Sequence, residues 1–64
     1  MTTIITISNL AGGDARTFRV RNGIVPDAAI RHARRIQRAT QMDFRCDDES
    51  AADQIQQAID ETED

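Results

Sequence analysis

Sixty-four residues admit a single domain, and one this small buries only about 60% of its unfolded surface. Eleven acids against eight bases leave a formal charge of −3, far from the basic balance of a nucleic-acid binder. A lone cysteine excludes an intrachain disulfide, and no apolar run approaches the roughly 20 residues of a membrane span.

The chain opens on MTTIITIS, which lacks a basic leader and alternates Thr with Ile, so it reads as a strand over residues 3–8 rather than a signal peptide. Thr3, Ile5 and Ile7 would face one side, and Ile4, Thr6 and Ser8 the other. Gly12-Gly13-Asp14 lies in a turn cluster from Asn9 to Ala15. Thr17 to Arg21 then alternates, with Phe18 and Val20 inward and Arg19 and Arg21 outward. The two runs predict an antiparallel hairpin, and Asn22-Gly23 ends its second strand.

Pro26-Asp27 predicts a helix start, since Pro suits the first turn and Asp the positive end of the dipole. The helix runs to about Gln41. Ala29, Ile30, Ala33, Ile36 and Thr40 share its apolar face, and Arg31, Arg34, Arg35 and Arg38 form an opposite ridge at i, i+3, i+4, i+7. Met42, Phe44 and Cys46 alternate inward against Asp43 and Arg45, which predicts a short third strand. Asp47-Asp48-Glu49-Ser50 precedes a second helix, with Ser50 and Asp53 in capping-box spacing. That helix extends to about Thr62, burying Ala51, Ala52, Ile55, Ala58, Ile59 and Thr62, while Glu63-Asp64 frays.

The expected fold is therefore α+β: a small two-layer ββαβα sandwich with a three-stranded sheet and two helices on one face. If strands two and three run parallel, their connection is expected to be right-handed. The other sheet face, with Thr6, Ser8, Arg19, Arg21, Asp43 and Arg45, is expected to be solvated and mildly basic.

No residue constellation names a chemistry, so the chain is not expected to be an enzyme or to carry a metal or cofactor. His32 lies at the border of the apolar helix face without an orienting partner and reads as a partly exposed surface residue. Cys46 reads as a small core residue rather than a nucleophile. Gly12-Gly13 lacks the Lys and the strand-to-helix setting of a phosphate loop. Asp47, Asp48 and Glu49 lack calcium-loop spacing and suit helix capping better.

Charge is the informative feature. Residues 1–46 carry eight arginines against three acids, a net of +5, and residues 47–64 carry eight acids and no base, a net of −8. Fields split this way steer partners. All the bases are Arg, whose forked donors suit carboxylates and phosphates. Two surfaces follow. The ridge Arg31, Arg34, Arg35 and Arg38, with Arg19, Arg21 and Arg45 as extensions, either grips phosphates or is the solvated face of an amphipathic helix. Phe18 and Phe44 point inward, so no aromatic platform accompanies it. The acidic set Asp47, Asp48, Glu49, Asp53, Asp60 and Glu61, continued by Glu63 and Asp64, either enters a basic groove made for nucleic acid or keeps a small domain soluble.

On its size, acidity, compact α/β pattern and the split between the Arg31–Arg38 ridge and the Asp47–Glu61 end, the chain resembles phage-encoded anti-CRISPR proteins. The charge dipole is similar to that expected of an inhibitor of a type I, I-C-like surveillance complex. The resemblance implies steric or electrostatic inhibition: the protein binds a Cas effector subunit in the bacterial cytoplasm and sets acids where target-DNA phosphates would lie. It brings no family motif, and the arginine ridge departs from a pure DNA mimic.

The expectation is thus a non-enzymatic inhibitor, a monomer or small homo-oligomer, in which Asp48, Glu49, Asp53 and Glu61 contribute most and which does not bind nucleic acid directly. The alternative is a small nucleic-acid-binding or regulatory module working through Arg31, Arg34, Arg35 and Arg38. A third class is a toxin–antitoxin or assembly component held in an obligate oligomer.

Overall fold

The computed structural model describes residues 2–62. The elements are β1 (Thr2–Asn9), β2 (Arg16–Arg21), α1 (Asp27–Thr40), β3 (Phe44–Cys46) and α2 (Glu49–Thr62). This is the ββαβα order read from the sequence. The sheet order is β2-β1-β3. Both outer strands pair antiparallel with β1, in registers that set Ile5 opposite Phe18 and Ile7 opposite Cys46. Strands β2 and β3 therefore run in the same direction but do not touch as neighbours, because β1 lies between them.

The hairpin loop is built by one side chain. Asn9 Oδ1 accepts from the backbone N–H groups of Ala11 (3.0 Å) and Gly13 (2.8 Å). An Asn that satisfies the loop's own amides in this way offers the chain a ready-made turn. Gly12 and Asp14 both take positive φ there, 90° and 54°. After β2, Asn22 (φ 53°) and Gly23 (φ 74°) form a tight two-residue turn, closed by the Ile24 N–H to the Arg21 carbonyl at 2.9 Å. This is the dipeptide that tolerates two successive left-handed residues. The reversal carries Val25 back into the core.

One continuous core holds Ile5, Ile7, Val20, Val25, Ala29, Ala33, Ile36, Phe44, Ala51, Ile55 and Ile59. Both helices cover the sheet face of Ile5 and Ile7, whereas Ile4 on the other face is exposed. Small Ala29 and Ala33 let α1 approach the sheet closely, and Ile55 and Ile59 fill the space beneath α2.

Several expectations are corrected. Thr3 is exposed, because only the middle of β1 lies beneath the helices. Met42 is 58% exposed and precedes β3, which starts only at Phe44. Gln41 takes a left-handed φ of 56° as the α1 C-cap, and this bend throws Met42 outward. Thr40 is exposed and returns its hydroxyl to the Ile36 carbonyl at 2.8 Å. Ser8, expected on a solvated face, is buried. The α2 cap is Asp48, whose Oδ1 accepts from the Ala51 N–H at 3.1 Å, so Ser50 lies inside the helix and forms no capping box with Asp53. Thr62 is exposed rather than buried. Glu63 and Asp64, counted with the acidic end, lie outside the described residues.

Candidate functional site

The arginines divide by strand parity. On β2, Arg16 shares the parity of Phe18 and Val20 and so lies on the helix-covered side of the sheet, at the edge beside α1. Arg19 and Arg21 take the other parity, and Arg45 joins them on that face opposite Ser8. Those three are therefore not continuous with the ridge, and the strand arginine that does join it is Arg16. Sequence reading began the strand one residue late, at Thr17. Extending the Phe18–Val20 alternation back by two would have placed Arg16 correctly.

On α1 the four ridge arginines span an arc of about 100° opposite the buried Ala29, Ala33 and Ile36. A hollow of about 410 Å³ is lined by Arg31, Arg34, Arg35, Arg38 and Ala39. Two further hollows, of about 190 and 260 Å³, share Arg16, His32 and Arg35 as lining residues. Among the described residues the only ion pair is Arg31 with Asp27 at 3.4 Å, with both side chains more than three-quarters exposed. Such a pair contributes little and is screened by salt.

His32 corrects the sequence reading. It is buried, at 9% exposure, and its Nε2 lies 2.7 Å from the Asp14 carbonyl oxygen. Its ring packs tilted on Phe18, centroids 5.7 Å apart. It is the joint between the hairpin loop and α1.

The acids also divide. Asp47 Oδ1 accepts from the Thr6 N–H at 2.9 Å, which extends the β1–β3 ladder by a side chain. Asp48 caps α2. Each thus has one oxygen committed to the backbone. Glu49, Asp53 and Asp60 are exposed and, with half-buried Gln56, fall within about 60° of arc on α2. Three carboxylates are thereby set out along about 16 Å of rigid helix. Glu61 is turned away from that row and lines a separate hollow with Ile24, Ile30 and Gln57.

A chain of side-chain hydrogen bonds joins this row to the other helix. Gln37 Nε2 donates to Asp43 Oδ1 (3.0 Å) and to Gln56 Oε1 (3.1 Å), and Gln56 Nε2 donates to Asp60 Oδ1 (3.0 Å). Asp43, expected on the outer sheet face, therefore belongs to the helix side. It precedes β3, where the strand alternation used to place it does not yet apply.

Cys46 is half-buried against the core, and burial is the main cause that raises its thiol above the ordinary range. Among the described residues no group of three or more His, Cys, Asp or Glu is placed to hold a metal ion, and no helix is long and apolar enough to cross a membrane.

The fold and charge layout define a small α+β protein with a cationic helix and an anionic helix side by side on one sheet. No protein-family model, no curated protein and no solved structure matches this chain.

Proposed function

We propose that this protein is a non-enzymatic inhibitor of the anti-CRISPR kind, acting in the cytoplasm of a bacterial host. It docks the exposed face of α2 on a Cas effector subunit of a type I, I-C-like surveillance complex. The observation that carries this reading is the row Glu49, Asp53 and Asp60, which no arginine neutralises within ion-pair distance among the described residues. Carboxylates fixed along a helix present a basic groove with a run of negative charge, as a phosphate backbone does. The hydrogen-bonded chain from Asp43 to Asp60 holds one of these charges, Asp60, in place before the partner arrives. Preorganised charge costs less to bind than charge on free side chains.

The row does not need Asp47 and Asp48, whose roles in the backbone are structural, although both add to the local field. The arginine ridge faces away from the groove in this reading, so the protein enters it acid-first. Attraction of this kind raises the association rate and weakens with salt.

The test is capture of a type I effector from a nuclease-treated lysate by the tagged chain. Recovery of an effector subunit is expected. Glu49→Arg, Asp53→Arg and Asp60→Arg together should abolish recovery while circular dichroism stays unchanged. Undiminished recovery by that folded triple variant would sink the reading.

A further inference from the structure

The arginine side of the molecule has no role in that reading, yet its geometry is specific. The fold brings cations from two separate elements, Arg16 of β2 and Arg31, Arg34, Arg35 and Arg38 of α1, around hollows that share lining residues. Arg35 lines all three, and Arg31 and Arg16 each line two. Like charges gathered this way repel one another unless an anion sits among them. Among the described residues the only carboxylate within ion-pair distance of these arginines is Asp27, through an exposed contact to Arg31 that an incoming ligand displaces readily. Arg34 adds a second sign. Its Nε is out of solvent and has no hydrogen-bond partner, an unsatisfied donor that an anion drawing the guanidinium outward would relieve.

We propose that this surface binds a linear chain of phosphates. Guanidinium forks bind phosphate oxygens bidentately, which selects phosphate over a simple point-charge contact. The hollows lie side by side around Arg35, and the one lined by Arg31, Arg34, Arg35 and Arg38 runs along about 10.5 Å of helix, so the site is longer than one phosphate. Asp14 lines the smallest hollow, so the phosphates seat towards Arg31, Arg35 and Arg38 rather than at that end. The one aromatic beside these arginines, half-buried Phe18, lines a single hollow with its ring tilted against His32, and no second aromatic ring continues it into a platform for successive bases. Recognition is therefore of the backbone and independent of base sequence. Polyphosphate and the backbone of a single-stranded nucleic acid share this chemistry.

The experiment follows the arginine Nε–H resonances of the full-length protein by NMR. Sodium tripolyphosphate and a short oligothymidylate are titrated separately, at about 20 mM and about 200 mM salt. Shifts are expected at Arg16, Arg31, Arg34, Arg35 and Arg38. Arg19, Arg21 and Arg45, on the opposite sheet face, serve as internal controls and should stay still. If three phosphates are neutralised, tenfold more salt weakens oligonucleotide binding about a hundredfold. Response to tripolyphosphate alone assigns the site to small polyphosphates, and response to both assigns it to phosphate chains generally. Arg35→Gln with Arg38→Gln should reduce affinity at least tenfold without moving the α2 amides. No response to either ligand, or equal shifts at Arg19, Arg21 and Arg45, overturns the proposal. Because α2 is untouched in these variants, the outcome does not depend on effector capture.

Discussion

His32 Nε2 lies 2.7 Å from the backbone oxygen of Asp14. A carbonyl only accepts, so Nε2 carries the proton and the tautomer is set by the contact. The bond ties the first turns of α1 to the end of the hairpin loop, at a residue held in the left-handed region with φ 54°. Arg16 follows two residues later, so this contact also decides where Arg16 stands against Arg35.

His32→Ala removes the bond and the packing of the ring on Phe18 together. It should lower stability by about 1–3 kcal/mol, read as a lower urea midpoint at unchanged slope. The chain is small, so a loss of that size is a large share of its total stability. His32→Gln, which keeps a donor, should recover part of it. An unchanged midpoint in His32→Ala would show that the loop is held by Asn9 alone.

Asp48 separates capping from charge. Asp48→Ala leaves the Ala51 N–H without its acceptor and should cost about 1 kcal/mol, measured by thermal unfolding. Asp48→Asn keeps the acceptor and should stay within a few tenths of the parent. Effector affinity then isolates the charge: Asp48→Asn should reduce it less than Asp53→Asn, because Asp53 belongs to the exposed row on α2. Equal losses would extend the binding face to the helix start.

The architecture was readable because alternation and helical period rarely conflict in this chain. Ile5 and Ile7, Phe18 and Val20, Ala29, Ala33 and Ile36, and Ile55 and Ile59 each announce a period of 2 or 3.6. The misreadings fall where a single residue changes the backbone direction. Gln41 turns left-handed, so the strand period applied from Met42 onward began too early. Tertiary partners are a second class that periodicity does not carry. Burial of His32 depends on a loop carbonyl 18 residues away, and the link from Asp43 to Asp60 depends on two glutamines on different helices. The arginine face of α1 was legible from spacing alone, but the division of the acids was not, because the backbone N–H groups that hold Asp47 and Asp48 leave no mark in the spacing. Which strand arginine joins the ridge depended on where β2 begins.

Cys46 makes stability pH-dependent on the alkaline side. Burial chiefly raises its thiol, the Asp47 and Asp48 carboxylates add to the rise, and backbone hydrogen bonds from Asp48 and Asp47 oppose it. The folded state therefore keeps its proton where the unfolded thiol, near pH 8.5, has begun to lose it. This contribution is complete below the unfolded value and is lost as pH rises through the folded one. The chain has no Lys and no Tyr, so apart from the terminal amine no other side chain titrates in that window. The urea midpoint should fall between about pH 8 and pH 10 in the parent and fall less in Cys46→Ala. Identical profiles would show that the thiol is solvated in solution.

Gln37 tests whether the acidic face works because it is rigid. Its amide nitrogen donates to both Asp43 and Gln56, and Gln56 passes the constraint to Asp60. Gln37→Ala removes the shared donor without changing any charge. These are largely exposed bonds, so the loss in stability should be about 1 kcal/mol or less. If fixed carboxylates matter, effector affinity should fall severalfold even though the field is unaltered, and the loss should appear in the dissociation rate. Asp53→Arg, which changes the field, should instead lower the association rate and flatten its salt dependence. Surface plasmon resonance at two salt concentrations separates the two. A Gln37→Ala variant with parental dissociation would show that the charges act through their number and position, with the hydrogen-bonded chain serving only to join α1 to α2.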